Sequence, residues 1–146
     1  MKDSTAITSL IPHRPPFLWV DKIIERTAHS IVAEKKIPEN LDIFQGHYPG
    51  QPLMPGVLLC ESIFQTGALL ISTILEKAGP SGQDQIPVLT KIIGARFKRP
   101  VLPGETIQLR VKLIETISSV CFFKGTAHVN GEMAVKTEFS CALMSP

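Results

Sequence analysis

A histidine and a glutamate lie close enough along the chain to act as a base and an acid at one site. His47 stands in a loop stiffened by glycine and proline, and Glu61 follows near the start of a predicted helix. The apolar neighbours of Glu61, such as Ile63 and Phe64, favour the protonated form of its carboxyl group. A neutral imidazole and a protonated carboxyl that face one cavity form a pair able to move protons.

Backbone groups at the start of the predicted helix complete the candidate site. The free N–H groups of Gly56 and Val57 can stabilise an oxygen that gains negative charge during a reaction. Gln65, one turn after Glu61, is predicted with Gly56 and Val57 to help bind the substrate; it either orients that carboxyl group or is a polar residue of the core. A structural loop histidine, with a glutamate that only favours the helix dipole, is the ordinary alternative. The cost of an unpaired buried carboxylate weighs towards a catalytic role.

One long helix and six strands must position these residues. Val57–Lys77 is apolar on nearly every side, which predicts a helix buried all round, and Gly79-Pro80 ends it. A short helix is predicted after Ser4, ending before Pro12. The predicted strands are rich in β-branched and aromatic residues or alternate in polarity; they are Phe17–Thr27, His29–Ile37, Val88–Lys98, Thr106–Ile114, Ser119–Val129 and Glu132–Leu143.

The order of these elements predicts the architecture. Asn130-Gly131 is a strong hairpin signal between the last two strands, and strands linked by hairpins imply an antiparallel sheet. We expect an α+β fold in which this sheet wraps around the one long buried helix. No linker or repeat divides the chain, so residues 1–146 are expected to form a single domain. A single curved sheet leaves edge strands, which predicts extension into a dimer.

Composition excludes several classes of protein. The 146 residues carry 15 basic and 13 acidic side chains and are 44% hydrophobic, so the chain is neither disordered nor basic enough for a dedicated nucleic-acid binder. Three cysteines without a CxxC spacing argue against a disulfide framework or a zinc site and fit a reducing cytoplasm. No secretory signal is visible, and the longest uncharged apolar stretch is shorter than the roughly 20 residues of a membrane span.

Three segments resemble the bacterial 3-hydroxyacyl-[acyl-carrier-protein] dehydratases of type II fatty-acid synthesis. They are the run GHYPGQPLMPGVLLCESIFQ at 46–65, residues 11–18 with Val20-Asp21, and residues 95–101 with Pro103-Gly104. These motifs are long, specific and in the correct order over most of the chain. The resemblance implies a hot-dog fold, in which a sheet wraps around one helix.

The resemblance also implies a role for each candidate residue. By position, His47 corresponds to the catalytic histidine, and Glu61 to the catalytic carboxylate on the partner subunit of a dimer. Gly56 corresponds to the backbone donor for the thioester carbonyl. The implied reaction removes water from a (3R)-3-hydroxyacyl thioester of acyl carrier protein and gives a trans-2-enoyl thioester, with neither metal nor organic cofactor.

The resemblance further implies partners. Arg96, Lys98 and Arg99 form a basic cluster that is expected to receive the acidic acyl carrier protein, the alternative being a solvated strand end. The enzyme is expected in the cytoplasm as a dimer or a trimer of dimers. His13 and Arg14 are expected to have a structural role in the proline-rich loop.

Other functions and the substrate range stay open. Glu61 favours the branch that only dehydrates, because the relative that also isomerises the double bond carries Asp there. Two alternatives are a hot-dog thioesterase, whose carboxylate activates water, and a non-catalytic module that binds acyl carrier protein. The acyl-chain preference is left open by departures from the family pattern at Tyr48, Cys60, Ser62, Ile63, Phe64 and Ile86–Thr90.

Overall fold

A six-stranded antiparallel sheet forms most of the structure, a computed structural model that describes residues 4–77, 79 and 85–145. The strands are β1 (Lys22–Arg26), β2 (Ser30–Lys36), β3 (Ile86–Phe97), β4 (Thr106–Ile117), β5 (Val120–Val129) and β6 (Glu132–Met144). They lie in the order β1-β2-β4-β5-β6-β3, and every neighbouring pair is antiparallel. The predicted sequence of two strands, one long helix and four strands is confirmed.

The long helix α2 (Gly56–Lys77) lies against the inner face of this sheet. Its residues from Ser62 to Ile71 are all buried, as the apolar pattern predicted. The first turn differs from the prediction, because Val57 is 73% exposed. The most apolar 18-residue window of α2 has the hydropathy of a membrane span, yet 72% of it is buried, so α2 is a core helix.

Two glycines allow α2 to approach the sheet closely. A Cβ atom on Gly125 of β5 would lie 2.3 Å from Cγ2 of Ile63, and one on Gly67 of α2 would lie 2.9 Å from the Phe139 ring. Both distances are shorter than real contacts, so a larger residue would push helix and sheet apart. These glycines set the depth at which the helix sits, and therefore where its first turns lie.

The N-terminal segment packs against β1 and α2. Helix α1 (Ser4–Leu10) begins at Ser4 itself, and Arg14 donates hydrogen bonds to the carbonyls of Ile11 and His13, which fits its predicted structural role. The prediction of a strand from Phe17 was wrong, since β1 starts only at Lys22. The backbone N–H of Trp19 and carbonyl of Phe17 bond to the side chain of Gln65 and not to a neighbouring strand.

The turns follow the glycine and proline signals. Asn130 and Gly131 have φ of 51° and 81°, the left-handed values that a tight hairpin between β5 and β6 needs. Gly79 beyond α2 has φ of 80°, while Pro80, predicted to end the helix with it, lies outside the described residues. A short 3-10 helix at Asp42–Gln45, absent from the predictions, precedes His47.

The edge strand β3 exposes apolar side chains over its whole length. Within the described chain its only strand partner is β6, which leaves its other edge unpaired. The exposed apolar residues of β3 are Ile86, Val88, Leu89, Ile92, Ile93 and Phe97, each 37–53% accessible. A long bare edge of this kind is a template for pairing with another chain.

Candidate active site

His47 is held in one tautomer by its own loop. Its Nδ1 lies 3.0 Å from the carbonyl oxygen of Leu53, and the N–H of Leu53 donates back to the His47 carbonyl at 3.1 Å. Because a carbonyl oxygen only accepts, Nδ1 carries the proton, and Nε2 of the neutral ring keeps a free lone pair. The Tyr48 ring stacks on the imidazole at a centroid distance of 4.6 Å. The loop therefore presents His47 as a base at Nε2.

A pocket of about 440 Å³ opens beside this histidine. Its lining is largely apolar and includes two basic residues; the residues are His47, Tyr48, Leu53, Met54, Gly56, Leu59, Phe97, Lys98, Arg99 and Pro100. The Phe97 ring packs so closely on Gly56 that a Cβ there would lie 2.7 Å from the ring. Glycine at this position therefore lets β3 close over the start of α2.

The first two N–H groups of α2 have no backbone acceptor among the described residues. Leu58 and Leu59 both donate to the Pro55 carbonyl, while in the described part of the chain Gly56 and Val57 donate to no carbonyl outside the helix. The Gly56 N–H can therefore receive a carbonyl oxygen of a ligand in the pocket. Val57, also predicted to bind substrate, lies exposed at the rim and is not part of the lining.

Glu61 lies in a second cluster, apart from the His47 pocket. Its Oε2 accepts a hydrogen bond from Nε2 of Gln65 at 3.0 Å and lies 3.7 Å from Nε2 of His13. The side chain of Glu61 is 22% exposed, so it is less enclosed by apolar groups than its sequence neighbours suggested. Among the described residues no carboxylate lines the His47 pocket.

Gln65 holds this cluster together. It is 1% exposed, its Oε1 accepts from the Trp19 N–H at 2.8 Å, and its Nε2 donates to the Phe17 carbonyl and to Glu61. Both amide hydrogens and one lone pair of the amide oxygen are then used by the protein. Gln65 is placed to orient Glu61, one of the two roles that its spacing predicted.

The predicted basic cluster divides into two parts. Arg96 and Lys98 are exposed, and both line a groove of about 450 Å³ that also contains Lys136. Arg99 instead binds both carboxylate oxygens of Glu105, at 2.9 and 3.0 Å, and lies 3.5 Å from Glu132. Its charge is locally balanced, so the cluster available to a partner is Arg96, Lys98 and Lys136.

The described residues support neither a metal site nor a nucleophilic cysteine. No group of three or more His, Cys, Asp or Glu side chains there could hold a metal ion. All three cysteines are free and buried, and burial, with smaller effects of Cys121 and Glu61, raises the pKa of the Cys141 thiol to about 12. A thiol with such a pKa is not a nucleophile at neutral pH.

His13 is the residue of the cluster that sequence reasoning missed. It lies beside Glu61 although 48 positions separate the two, and no spacing rule links a proline-rich loop to a helix so far away. The resemblance placed His13 within a matched segment but gave it no role at the site. Only the docking of that loop on α2 reveals the contact.

Comparison with known proteins identifies the family. The FabA-like domain family matches residues 11–138. A 3-hydroxyacyl-[acyl-carrier-protein] dehydratase FabZ of Anaeromyxobacter dehalogenans is 42% identical over 97% of this chain and 90% of its own length. The FabZ of Clostridium perfringens is 40% identical over 98% of this chain and 99% of its own. The chain belongs to the FabZ dehydratase family.

Solved structures confirm the hot-dog fold expected for a FabZ-family chain. The dehydratase heterocomplex ApeI:P from Xenorhabdus doucetiae aligns with a TM-score of 0.79 over 96% of this chain and 90% of its own, at 13% identity. A hypothetical thioesterase with coenzyme A from Streptococcus pneumoniae aligns with a TM-score of 0.63 over 85% of this chain and 88% of its own, at 12% identity. At such identities only the fold is shared, so the fold does not distinguish dehydratase from thioesterase.

Proposed function

We propose that this chain removes water from (3R)-3-hydroxyacyl-[acyl-carrier-protein] to give trans-2-enoyl-[acyl-carrier-protein] in cytoplasmic fatty-acid biosynthesis. The observation that carries the proposal is the His47 loop, which leaves Nε2 free as a base in an apolar pocket beside the Gly56 N–H. Relatives named for this reaction cover nearly the full chain at about 40% identity, which supports the substrate class.

The geometry supports an elimination in which each group has one task. Nε2 of His47 takes the proton from C2 of the acyl chain. The electron pair of that C–H bond forms the C2–C3 double bond as the C3 hydroxyl leaves, taking a proton from the Glu61 carboxyl to become water. The Gly56 N–H stabilises the thioester oxygen as it gains negative charge. No cofactor is required, because all atoms and charges balance among these groups.

The active site is completed by a second copy of the chain. Glu61 and the other described carboxylates are absent from the His47 pocket, so one chain alone supplies only the base. The unpaired edge of β3 ends at Phe97, which itself lines that pocket. Pairing through β3 would bury the exposed apolar strand and bring Glu61 of the partner subunit towards His47. A homodimer, alone or within a trimer of dimers, is the functional unit.

Acyl carrier protein docks at the exposed basic cluster. Arg96 and Lys98 offer positive charge next to the pocket mouth, and Lys136 lies directly opposite Arg96 on β6. An acidic partner gains association rate from such a surface more than affinity. Charge reversal at Arg96 should therefore weaken turnover of carrier-linked substrate more than that of a short thioester without the carrier.

Hydration of crotonyl-[acyl-carrier-protein], the reverse reaction, tests the activity by loss of the enoyl-thioester absorbance. Both His47→Ala and Glu61→Gln should lower the rate by about 10²- to 10⁴-fold while the fold is retained. Release of free thiol by the wild-type protein, without hydration, would favour the thioesterase. Carrier binding without either reaction would favour the binding module.

Mixing the two variants tests the shared site. Refolding His47→Ala with Glu61→Gln chains should restore about a quarter of wild-type activity, because half of randomly paired dimers then contain one intact site. No recovery in heterodimers shown to have formed would refute the shared site and leave the dehydratase proposal standing.

A further inference from the structure

The carboxylate of Glu61 is held at one oxygen only. Gln65 Nε2 donates to Oε2 at 3.0 Å, and His13 Nε2 lies 3.7 Å from the same atom. Among the described residues no donor reaches Oε1. The two oxygens are therefore chemically different, with one fixed by the protein and the other left for a ligand.

The environment of His13 selects the ring nitrogen that faces Glu61. Its Nδ1 is buried and has no hydrogen-bond partner. A buried ring nitrogen without a proton loses less free energy when it lacks a partner than a buried N–H that lacks an acceptor. The neutral ring therefore carries its proton on Nε2. Nε2–H then points its positive dipole at Oε2 of Glu61, at a distance too long for a direct hydrogen bond but short for an electrostatic contact.

Burial of His13 favours the neutral form of its ring. Burial lowers the pKa of His13 below its usual value, Glu61 from α2 opposes that effect, and Arg14 from the same loop adds to it. A neutral donor orients a carboxyl group without forming a full ion pair, which would favour the carboxylate over the protonated form that acid catalysis needs. His13 therefore differs from an arginine or lysine in the same place.

We propose that His13 is a positioning residue which, together with Gln65, fixes Oε2 of Glu61 so that Oε1 faces the departing hydroxyl group of the substrate. This inference rests on the proposed dehydratase function. His13 acts through Glu61 and does not touch the substrate. The contact joins the proline-rich loop to the acid of the reaction, so that the placement of α1 and its loop sets the orientation of the acid.

Two amide substitutions distinguish a positioning role from a structural one. The amide nitrogen of Gln can occupy the place of Nε2, whereas that of Asn can reach only the place of Nδ1. His13→Gln should therefore keep kcat for crotonyl-[acyl-carrier-protein] hydration within about twofold of wild type. His13→Asn and His13→Ala should each lower kcat by about ten-fold with KM unchanged. His29→Gln, at an exposed turn, is the matched control.

The outcomes separate this inference from the proposed function. An inactive wild-type protein removes both. If the wild type is active but His13→Gln, His13→Asn and His13→Ala behave alike, the positioning role is overturned and the dehydratase proposal stands. A change in KM in place of kcat has the same meaning. Fluorescence of Trp19 verifies the fold of each variant; if His13→Ala does not fold, the Gln and Asn pair decides alone, since these differ by one methylene group.

Discussion

The buried amide of Gln65 bonds backbone groups that a neighbouring strand would otherwise bond. Its three hydrogen bonds satisfy the Trp19 N–H and the Phe17 carbonyl, which have no strand partner, and also hold Glu61. The same side chain thus supports the backbone of the proline-rich loop and Glu61, the proposed acid. Loss of the amide should affect both stability and activity.

Gln65→Met keeps the volume of the side chain and removes all three hydrogen bonds. Because the buried Trp19 N–H then lacks an acceptor, we expect the free energy of unfolding to fall by about 1–3 kcal/mol. Urea unfolding followed by fluorescence of Trp19, the single tryptophan, measures this directly. Gln45→Met, on an exposed residue of the 3-10 helix, should change stability little. Equal effects of the two substitutions would contradict the role given to Gln65.

Local sequence patterns could relate some residues of the candidate site but not others, because some contacts depend on how distant segments pack. His47, Gly56, Glu61 and Gln65 lie within twenty positions of each other, so loop stiffness and helical spacing relate them. The contact of His13 with Glu61 depends on how a distant loop docks, which no local pattern encodes. The separation of Glu61 from the His47 pocket likewise follows from three-dimensional packing.

Among the elements, those whose pattern reflects a half-buried sheet were predicted best. Strands β4, β5 and β6 largely alternate between core and solvent. The structure extends β4 by three residues and β6 by one beyond the predicted bounds, and it starts β5 one residue later than predicted. The start of β1 was wrong because Phe17 and Trp19 have strand-like side chains while their backbone groups bind Gln65. Side-chain propensity does not reveal such a competing acceptor.

Gly125→Ala tests how closely α2 must approach β5. The new Cβ would lie 2.3 Å from Cγ2 of Ile63, which is fully buried and cannot move freely. We expect a loss of about 1–3 kcal/mol in the free energy of unfolding from overpacking, measured by chemical denaturation.

Gly46→Ala is the control for that substitution. No atom lies within 4 Å of the added Cβ, and φ at Gly46 is an ordinary −113°. Its free energy of unfolding should stay within about 0.5 kcal/mol of wild type. If Gly125→Ala is equally mild, α2 can shift away from the sheet and the glycine does not set its depth.

At the scale of the whole molecule, two histidines make stability depend on pH. Burial lowers the pKa of His13 and of His128 below 6.5, and Arg110 lowers that of His128 further. The unfolded chain therefore binds protons at a higher pH than the folded chain does. The free energy of unfolding should be greatest above about pH 6.5 and should fall as the pH drops through the lowered values.

His128→Gln isolates one of these contributions without touching the candidate site. The variant should lose less stability than wild type between about pH 7 and pH 5, a window above the range in which carboxylates take up protons. Unfolding curves at several pH values measure the slope. His29→Gln, on the exposed turn between β1 and β2, is the matched control variant. An unchanged slope in His128→Gln would refute the assignment.

The position of β3 has a consequence for synthesis of the chain. Among the described strands its only partner is β6, which follows it in the sequence, and β4 and β5 are made between the two. The apolar strand β3 therefore leaves the ribosome before β6 does. Both of its edges stay unpaired until the β5–β6 hairpin has emerged. During that interval β3 can pair with any extended segment nearby, including another nascent chain. We therefore expect the yield of native protein to depend on the speed of translation and on chaperones that shield β3, as well as on the stability of the finished fold.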